Sequence, residues 1–330
     1  MKVTIRDVAT RCGVSVATVS RVINNSDQVT AETKKKVLKV IEELGFIPNT
    51  NARGLSTKST NTIGIIVPNV SNPFFGELIQ GAEGAASESG YQIIILNSGY
   101  SREKTLRDIM VLQSRDVDGI IMSTADIDEK TLDYLHDNQI PFVLMGPVQY
   151  RYPVNYVSVD NMEGARMAVQ HLIDLGHEKI AYCTEKHDNY LNQLRYDGYR
   201  KALTSNGIEV DQRMYFENDV EKNVARILLE EKGKRPTAIF AFNDNLALSY
   251  MEALERNGVR IPEDMAVVGF DNIKFASYYA IQLTTVDNRQ EEFGREGFEI
   301  LMEILKNDGK KTQQIITKPQ LVVRKSCGSK

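Results

Sequence analysis

The residues of this chain best suited to bond-making chemistry are spaced so that they cannot carry it out together. His171 and His177 stand six apart, whereas two imidazoles share a metal on one helix face at a spacing of four. His136 and His187 are isolated, so all four histidines read as surface or capping residues. Cys12, Cys183 and Cys327 are odd in number and far apart, which suits neither a metal site nor a disulfide framework and fits a reducing cytoplasm. No Gly-x-Gly-x-x-Gly follows a strand, and there is neither a Walker phosphate loop nor a Gly-x-Ser-x-Gly elbow. The acid pairs Glu42-Glu43 and Glu291-Glu292 read as solvated helix faces. The expectation is a protein with no catalytic residue, no metal and no cofactor.

Recognition is the remaining chemistry, and the elements that would position it can be read from hydrophobic periodicity. From residue 62, buried-strand runs at 63–67, 92–96, 119–122, 142–145 and 156–159 alternate with helices over 73–90, 102–115 and 128–138. The rhythm restarts with helix 160–175, strand 179–183, helix 192–206, strand 213–217, helix 221–231, strand 237–242, helix 244–257 and strand 265–270. This is α/β architecture: two parallel, doubly wound sheets side by side. Such sheets bind ligands beyond the carboxyl ends of their strands. That rule selects Asn72-Pro73-Phe74-Phe75, Lys186–Arg195, Asn243-Asp244 and Asp271. Aromatic rings beside Arg, Asp and Asn suit a polyhydroxylated ring, whose apolar face stacks while its hydroxyls pair. Phe75 reads equally as core, Asn243 as a helix cap, and Arg195 with Asp271 as a structural ion pair.

Three short helices fit the first 45 residues. Thr4-Ile5-Arg6-Asp7 is a capping box opening the first, Ser15 caps the second and Thr30 the third, which Gly45 stops. Ala9, Gly13 and Val19 have the spacing of a helix-turn-helix: a small residue at the crossing, a glycine turn and a branched filler. An ordinary αα-hairpin uses the same physics. A Pro-marked segment over 49–57 with an Asn cap is too short to be helical alone, and Gly54 weakens it further.

Charge separates these regions. Residues 1–60 carry ten Lys/Arg against five Asp/Glu, a net of +5, which leaves −9 for the rest of a 330-residue chain whose overall charge is −4. A basic head on an acidic body places any polyanion at the head. At 42% hydrophobic and 25% charged the composition is globular, and apolar runs such as Met265–Phe270 are far shorter than the ~20 residues of a membrane span. The N-terminus lacks the apolar core of a signal peptide, so the expected location is the cytoplasm.

The run from Thr4 through Val14-Ser15-Val16-Ala17-Thr18-Val19-Ser20-Arg21-Val22-Ile23-Asn24, with Gly45-Phe46-Ile47-Pro48-Asn49 and Ala52-Arg53-Gly54-Leu55, resembles the lactose/galactose-repressor family of bacterial transcription regulators. The likeness continues through Ile63–Pro68, Asn72-Pro73-Phe74-Phe75, Leu175-Gly176-His177, Asn243-Asp244 and Val268-Gly269-Phe270-Asp271, essentially the whole chain. The resemblance implies a helix-turn-helix DNA-binding domain at 1–48, a hinge helix and linker at 49–60, and an effector-binding and dimerisation domain at 61–330. It implies a periplasmic-binding-protein-like body with one subdomain of about 61–159 and 288–317 and another of about 160–287 and 318–330. Three crossovers would fall near Val159, Val286–Asn288 and Thr317–Pro319.

On the same resemblance, Val16, Ala17 and Arg21 match base readers in the major groove, with Arg21 forking onto guanine or holding a phosphate. Thr18, Ser20 and the amides at the Ser15 cap would hold phosphates. Leu55 matches a wedge in the minor groove. Phe74 or Phe75 would stack on a ligand, Arg195 and Asp271 would anchor its polar groups, and Asn243 would add an amide, with Asn189 in the same loop. Position 288 is Asn where relatives often carry Gln. The implied partners are double-stranded operator DNA with pseudo-palindromic half-sites, a small effector that is a sugar or sugar derivative, and a second copy in a homodimer or higher oligomer, with no membrane. The alternatives are a sugar-binding transport-type protein, or a regulator controlled by a purine or phosphoprotein co-repressor.

Overall fold

The computed structural model describes residues 3–23, 28–46, 59–123, 127–185, 190–231, 233–307 and 312–328. The chain divides into two compact units, Met1–Thr60 and Asn61–Lys330.

In the first unit, Thr4 starts α1 (Ile5–Cys12): its hydroxyl accepts the Asp7 amide at 3.4 Å, while the Asp7 carboxylate accepts the Thr4 amide at 2.8 Å. Gly13 ends α1 at φ +66°, where a side chain would be strained. Ser15 opens α2 (Val16–Ile23), its Oγ accepting the Thr18 amide at 3.0 Å. Thr30 caps α3 (Ala31–Leu44). The three helices close over Val8, Ala9, Cys12, Val19, Val22, Val37 and Val40. Ala9 and Val19, the residues whose spacing signalled the motif, are both in that core, so the spacing reports a helix crossing. Segment 49–57, with Leu55, lies outside the described residues.

In the second unit β1 (Thr62–Val67), α4 (Pro73–Glu88), β2 (Gln92–Asn97), α5 (Arg102–Ser114), β3 (Gly119–Ser123), α6 (Glu129–Asp137), β4 (Phe142–Met145) and β5 (Tyr156–Val159) alternate as predicted. There follow α7 (Asn161–Asp174), β6 (Ile180–Thr184), α8 (Tyr190–Ser205), β7 (Tyr215–Glu217), α9 (Val220–Leu229), β8 (Ala238–Ala241), α10 (Asp244–Arg256) and β9 (Ala266–Asp271). The chain ends with β10 (Thr284–Asp287), α11 (Gln290–Asn307), β11 (Gln314–Thr317) and β12 (Gln320–Val322). The strand expected over 213–217 is shorter, because Asp211 caps a 3-10 turn over Gln212–Met214 and leaves β7 only three residues.

The two six-stranded sheets have orders β2-β1-β3-β4-β5-β11 and β7-β6-β8-β9-β10-β12. Apart from β11 and β12 the order is the same in both, and three crossovers link them: after β5, after β10 and between β11 and β12. Every pairing is parallel except β10 with β12, which is antiparallel. That departure from wholly parallel sheets has a simple cause. The other strands run toward the side where the chain crosses, so a crossing chain must run away from it. Helices α7 and α11 do this at the first two crossings; at the third no helix intervenes, and β12 itself runs back.

Hydrophobic layers flank each sheet, around Ile65 and Ile120 in the first and around Ile239 and Phe240 in the second. Two close helix contacts set the geometry of the ligand-facing end. Helices α4 and α11 meet backbone to backbone: a Cβ on Gly81 would lie 1.8 Å from Glu291 O, and one on Gly294 1.9 Å from Leu78 O. Helices α7 and α8 meet at Gly198, where a Cβ would lie 2.2 Å from Met162 O. His171 departs from the expected surface role: it is half-buried, its Nε2 3.3 Å from Cys327 Sγ. No helix among the described residues is long and apolar enough to cross a membrane.

Candidate functional site

The first unit presents one face of α2 outward. Val16, Ala17 and Arg21 are exposed, Ser20 is half-buried, and Val19 and Val22 face the core. At roughly 100° per residue, positions 16, 17, 20 and 21 share one arc of the helix. On that arc Val16 is 41% accessible and Arg21 is exposed. Ser15 and Thr18 already bond each other, Oγ to Oγ1 at 2.9 Å, which stiffens the helix start. Lys35 and Lys36 are exposed and Lys34 is half-buried.

In the second unit, a cleft at the strand carboxyl ends is walled by Phe74, Phe75, Arg195, Asn243 and Asp271 together. Pro73 supplies the pre-set φ of a first helical turn, and Asn72 Oδ1 accepts the Phe74 amide at 3.0 Å. This brings the two rings to the rim of α4, edge to face at 5.0 Å. Phe75 is 7% exposed and belongs to the core as well as the wall. Phe74 is only half-buried.

Arg195, 4% exposed, is held from every side. Its Nε donates to Asn161 Oδ1 at 3.1 Å, one Nη donates to the Phe242 carbonyl, and the other reaches Asp271 Oδ1 at 3.3 Å. The guanidinium lies 3.7 Å from the Phe270 ring centroid and 4.6 Å from that of Phe242. The ion pair foreseen as one alternative for Arg195 and Asp271 is therefore present, and it sits on the cleft wall. Asp271 has φ +119°, a conformation that costs a side-chain-bearing residue ~1–3 kcal/mol. The Asn288 amide donates to its carboxylate at 2.8 Å, and the Gln290 amide donates to its carbonyl. Asn243 Oδ1 caps α10 by accepting the Leu246 amide at 2.8 Å, and the residue also lines the cleft.

Burial dominates the electrostatics. It pushes the Asp271 carboxyl up to about 6 although Arg195 and Asn288 pull the other way. Burial also lowers the affinity of Arg195 for its proton, opposed mainly by Asp271. Asp244, behind the wall, is raised well above the usual carboxylate range by burial and by Asp271, although Thr285 Oγ1 donates to it at 2.5 Å and the Ile273 amide at 2.9 Å. The group as a whole resists carrying further negative charge.

The cleft also includes Tyr100, Ser123, Gly146, Asn161 and Glu185, which the sequence reading did not single out. Each follows or ends a strand: β2, β3, β4, β5 and β6. The strand-end rule, applied to β2, β3, β4 and β5 as well, would have found the first four; Glu185 follows β6 directly, one residue before the segment the rule selected. Phe293 came from α11, which had not been assigned. Asn189 lies outside the described residues. Among the described residues no cluster of His, Cys, Asp and Glu could hold a metal ion.

A helix-turn-helix unit in one chain with a two-sheet, ligand-cleft body defines a class: the DNA-binding transcription regulators built on a periplasmic-binding-protein-like fold. Residues 4–49 match the model of the bacterial regulatory proteins of the lacI family, and residues 169–327 that of a periplasmic binding protein-like domain. The HTH-type transcriptional repressor PurR of Vibrio parahaemolyticus is 36% identical over 97% of each chain. Among solved structures, the lac repressor dimer bound to operator and the anti-inducer ONPF superposes with a TM-score of 0.87 at 27% identity, covering 100% of both chains. A transcriptional regulator CelR–cellobiose complex has a TM-score of 0.73 at 31% identity, covering 98% of this chain and 99% of that one. The chain belongs to the lacI family and is a transcriptional regulator, not an enzyme.

Proposed function

We propose that this regulator is a repressor that binds a pseudo-palindromic operator as a homodimer and is switched by a sugar or sugar derivative bound in the cleft. Helix α2 enters the major groove, where Arg21 forks onto a guanine, Val16 and Ala17 make apolar contacts, and Ser15, Thr18 and Ser20 hold phosphates. Segment 49–57 forms a hinge helix paired with its twin in the minor groove, Leu55 acting as the wedge. Two heads are needed because one buries too little surface for operator affinity. Residues 1–48, 49–60 and 61–330 then act as reader, hinge and sensor.

The observation that carries this reading is the joint presence of an exposed α2 face and a cleft of aromatic rings around Arg195, Asp271 and Asn243. Phe74 stacks on the ring face, Phe75 backs it, and the Arg195–Asp271 pair and Asn243 take hydroxyls. A ligand with unequal affinity for two cleft states shifts their balance, and with it the pairing of the hinges. The cellobiose complex of a relative supports a carbohydrate effector. Selection of genomic fragments by the full-length protein, followed by sequencing, tests the DNA side. The expected result is a motif with two-fold symmetry; a motif without symmetry, or none, would count against a dimeric operator reader.

A further inference from the structure

Taking the cleft as the effector site, we infer that it admits uncharged saccharides and rejects their phosphorylated and carboxylated counterparts. The charged side chains lining it, among the described residues, are Glu185, Arg195 and Asp271. Two are acidic and one is basic, and the basic one is already paired with Asp271. Arg195 spends three of its donors on Asn161, on the Phe242 carbonyl and on Asp271, and the rings of Phe270 and Phe242 pack against its guanidinium. An incoming phosphate or carboxylate would have to share the guanidinium with the carboxylate of Asp271 already on it.

Helix N-termini are the usual alternative for holding an anion, through their unpaired amides and positive dipole ends. Several helices begin at or beside this cleft, and at three of them a side-chain oxygen of the chain already caps the start. Asn72 Oδ1 accepts the Phe74 amide at 3.0 Å in α4, and Asn243 Oδ1 accepts the Leu246 amide at 2.8 Å in α10. In α7 it is a carboxylate that caps, Asp160 Oδ1 accepting the Glu163 amide at 3.0 Å. Helix α10 also carries Asp244 at its first position. At these three starts an oxygen already accepts from one of the first-turn amides, which lessens what each offers an anion.

What the cleft offers instead is neutral. Phe74, Phe75, Tyr100, Phe242 and Phe293 supply ring faces for C–H surfaces. Asn288 Oδ1, buried on the same wall, has no hydrogen-bond partner among the described residues, although the Nδ2 of the same amide serves Asp271. A ligand hydroxyl would satisfy that acceptor; a phosphate oxygen would repel it.

The test is a thermal-shift titration of the full-length protein at constant ionic strength with matched sets: glucose, glucose 6-phosphate and glucuronate; ribose and ribose 5-phosphate; galactose and galactose 1-phosphate; cellobiose and cellobionate. Ligand that binds the native state raises Tm by mass action. The expected result is that at least one neutral sugar raises Tm, while its charged partner needs at least tenfold more for the same shift. A charged partner that acts at equal or lower concentration overturns the inference and leaves the sugar-effector reading standing. If no member of any set raises Tm, the sugar reading of the cleft falls and the inference falls with it.

Discussion

Replacing Arg195 by Met removes the guanidinium that packs against the rings of Phe270 and Phe242 but keeps an apolar stem of similar length. Three donations are lost, to Asn161, Phe242 and Asp271, and Asp271 is left buried with only the Asn288 amide at 2.8 Å. Breaking a buried ion pair by deleting one partner costs ~3–5 kcal/mol, and the surviving Asn288 bond and preserved packing place the cost near the lower end, ~3 kcal/mol at pH 8. The loss has a pH signature. In the parent protein burial already raises the Asp271 carboxyl from 3.8 to about 6, so its ionisation costs folded-state stability as pH climbs through that range. Without Arg195 the carboxyl rises further. The Met variant's deficit should therefore be smallest below pH 6 and grow above it, by at most ~1.4 kcal/mol per pH unit. Urea unfolding of both full-length proteins from pH 5 to pH 8 measures this. A deficit under ~1 kcal/mol at pH 8, or one that does not change with pH, would refute the view that the pair is a buried, desolvated unit.

Three other outcomes follow from the same geometry. Arg21→Ala should cost ~1–3 kcal/mol of operator binding and erase discrimination at one G·C pair, read by anisotropy on base-substituted operators; uniform weakening on every sequence would make Arg21 a phosphate contact. Leu55→Ala should weaken operator binding at least tenfold while ligand affinity, read by calorimetry, stays within twofold; a parallel fall in both would make Leu55 a folding residue. Gly198→Ala sets a Cβ 2.2 Å from Met162 O and 2.8 Å from Ala165 Cβ, so urea unfolding should show a loss of ~1–3 kcal/mol and ligand affinity should fall as α8 moves Arg195; parent-like stability would mean that the α7–α8 contact relaxes freely.

Much of this architecture could be read from the sequence because it rests on local rules. Thr4, Gly13, Thr30 and Gly45 announce helix ends through hydroxyl caps and left-handed turns, and the structure places each of them at such an end. Strands β1, β3, β4 and β5 are short buried apolar runs between turn residues, a signal that survives without any knowledge of partners, whereas the equally apolar run of β2 lies at the sheet edge with no buried residue, a correction to the buried strand expected there. The last third was harder. Strand β12 is three residues long and β11 alternates exposed with half-buried positions, so neither shows the continuous apolar run of an inner strand. Helix α11 buries Phe293, Phe298, Ile300 and Leu301 among glycines and acids, and the adjacent Glu291 and Glu292 mask that stripe. In the cleft, residue types named the chemistry but could not say which bonds were already made. The threefold commitment of Arg195 and the orphan acceptor of Asn288 depend on contacts between residues up to 76 positions apart.

Binding of the full-length protein to its selected operator fragment, at two salt concentrations and with and without a stabilising sugar, tests the account most directly, run beside a chain lacking residues 1–58. The account predicts tight binding that weakens steeply with salt, because the basic head displaces counterions from the duplex. It also predicts a sugar-dependent change in operator affinity of at least tenfold, and a truncated chain that still binds the sugar but no longer binds the fragment. Equal DNA affinity in the truncated chain, or a saturating sugar that leaves operator affinity unchanged, would contradict it.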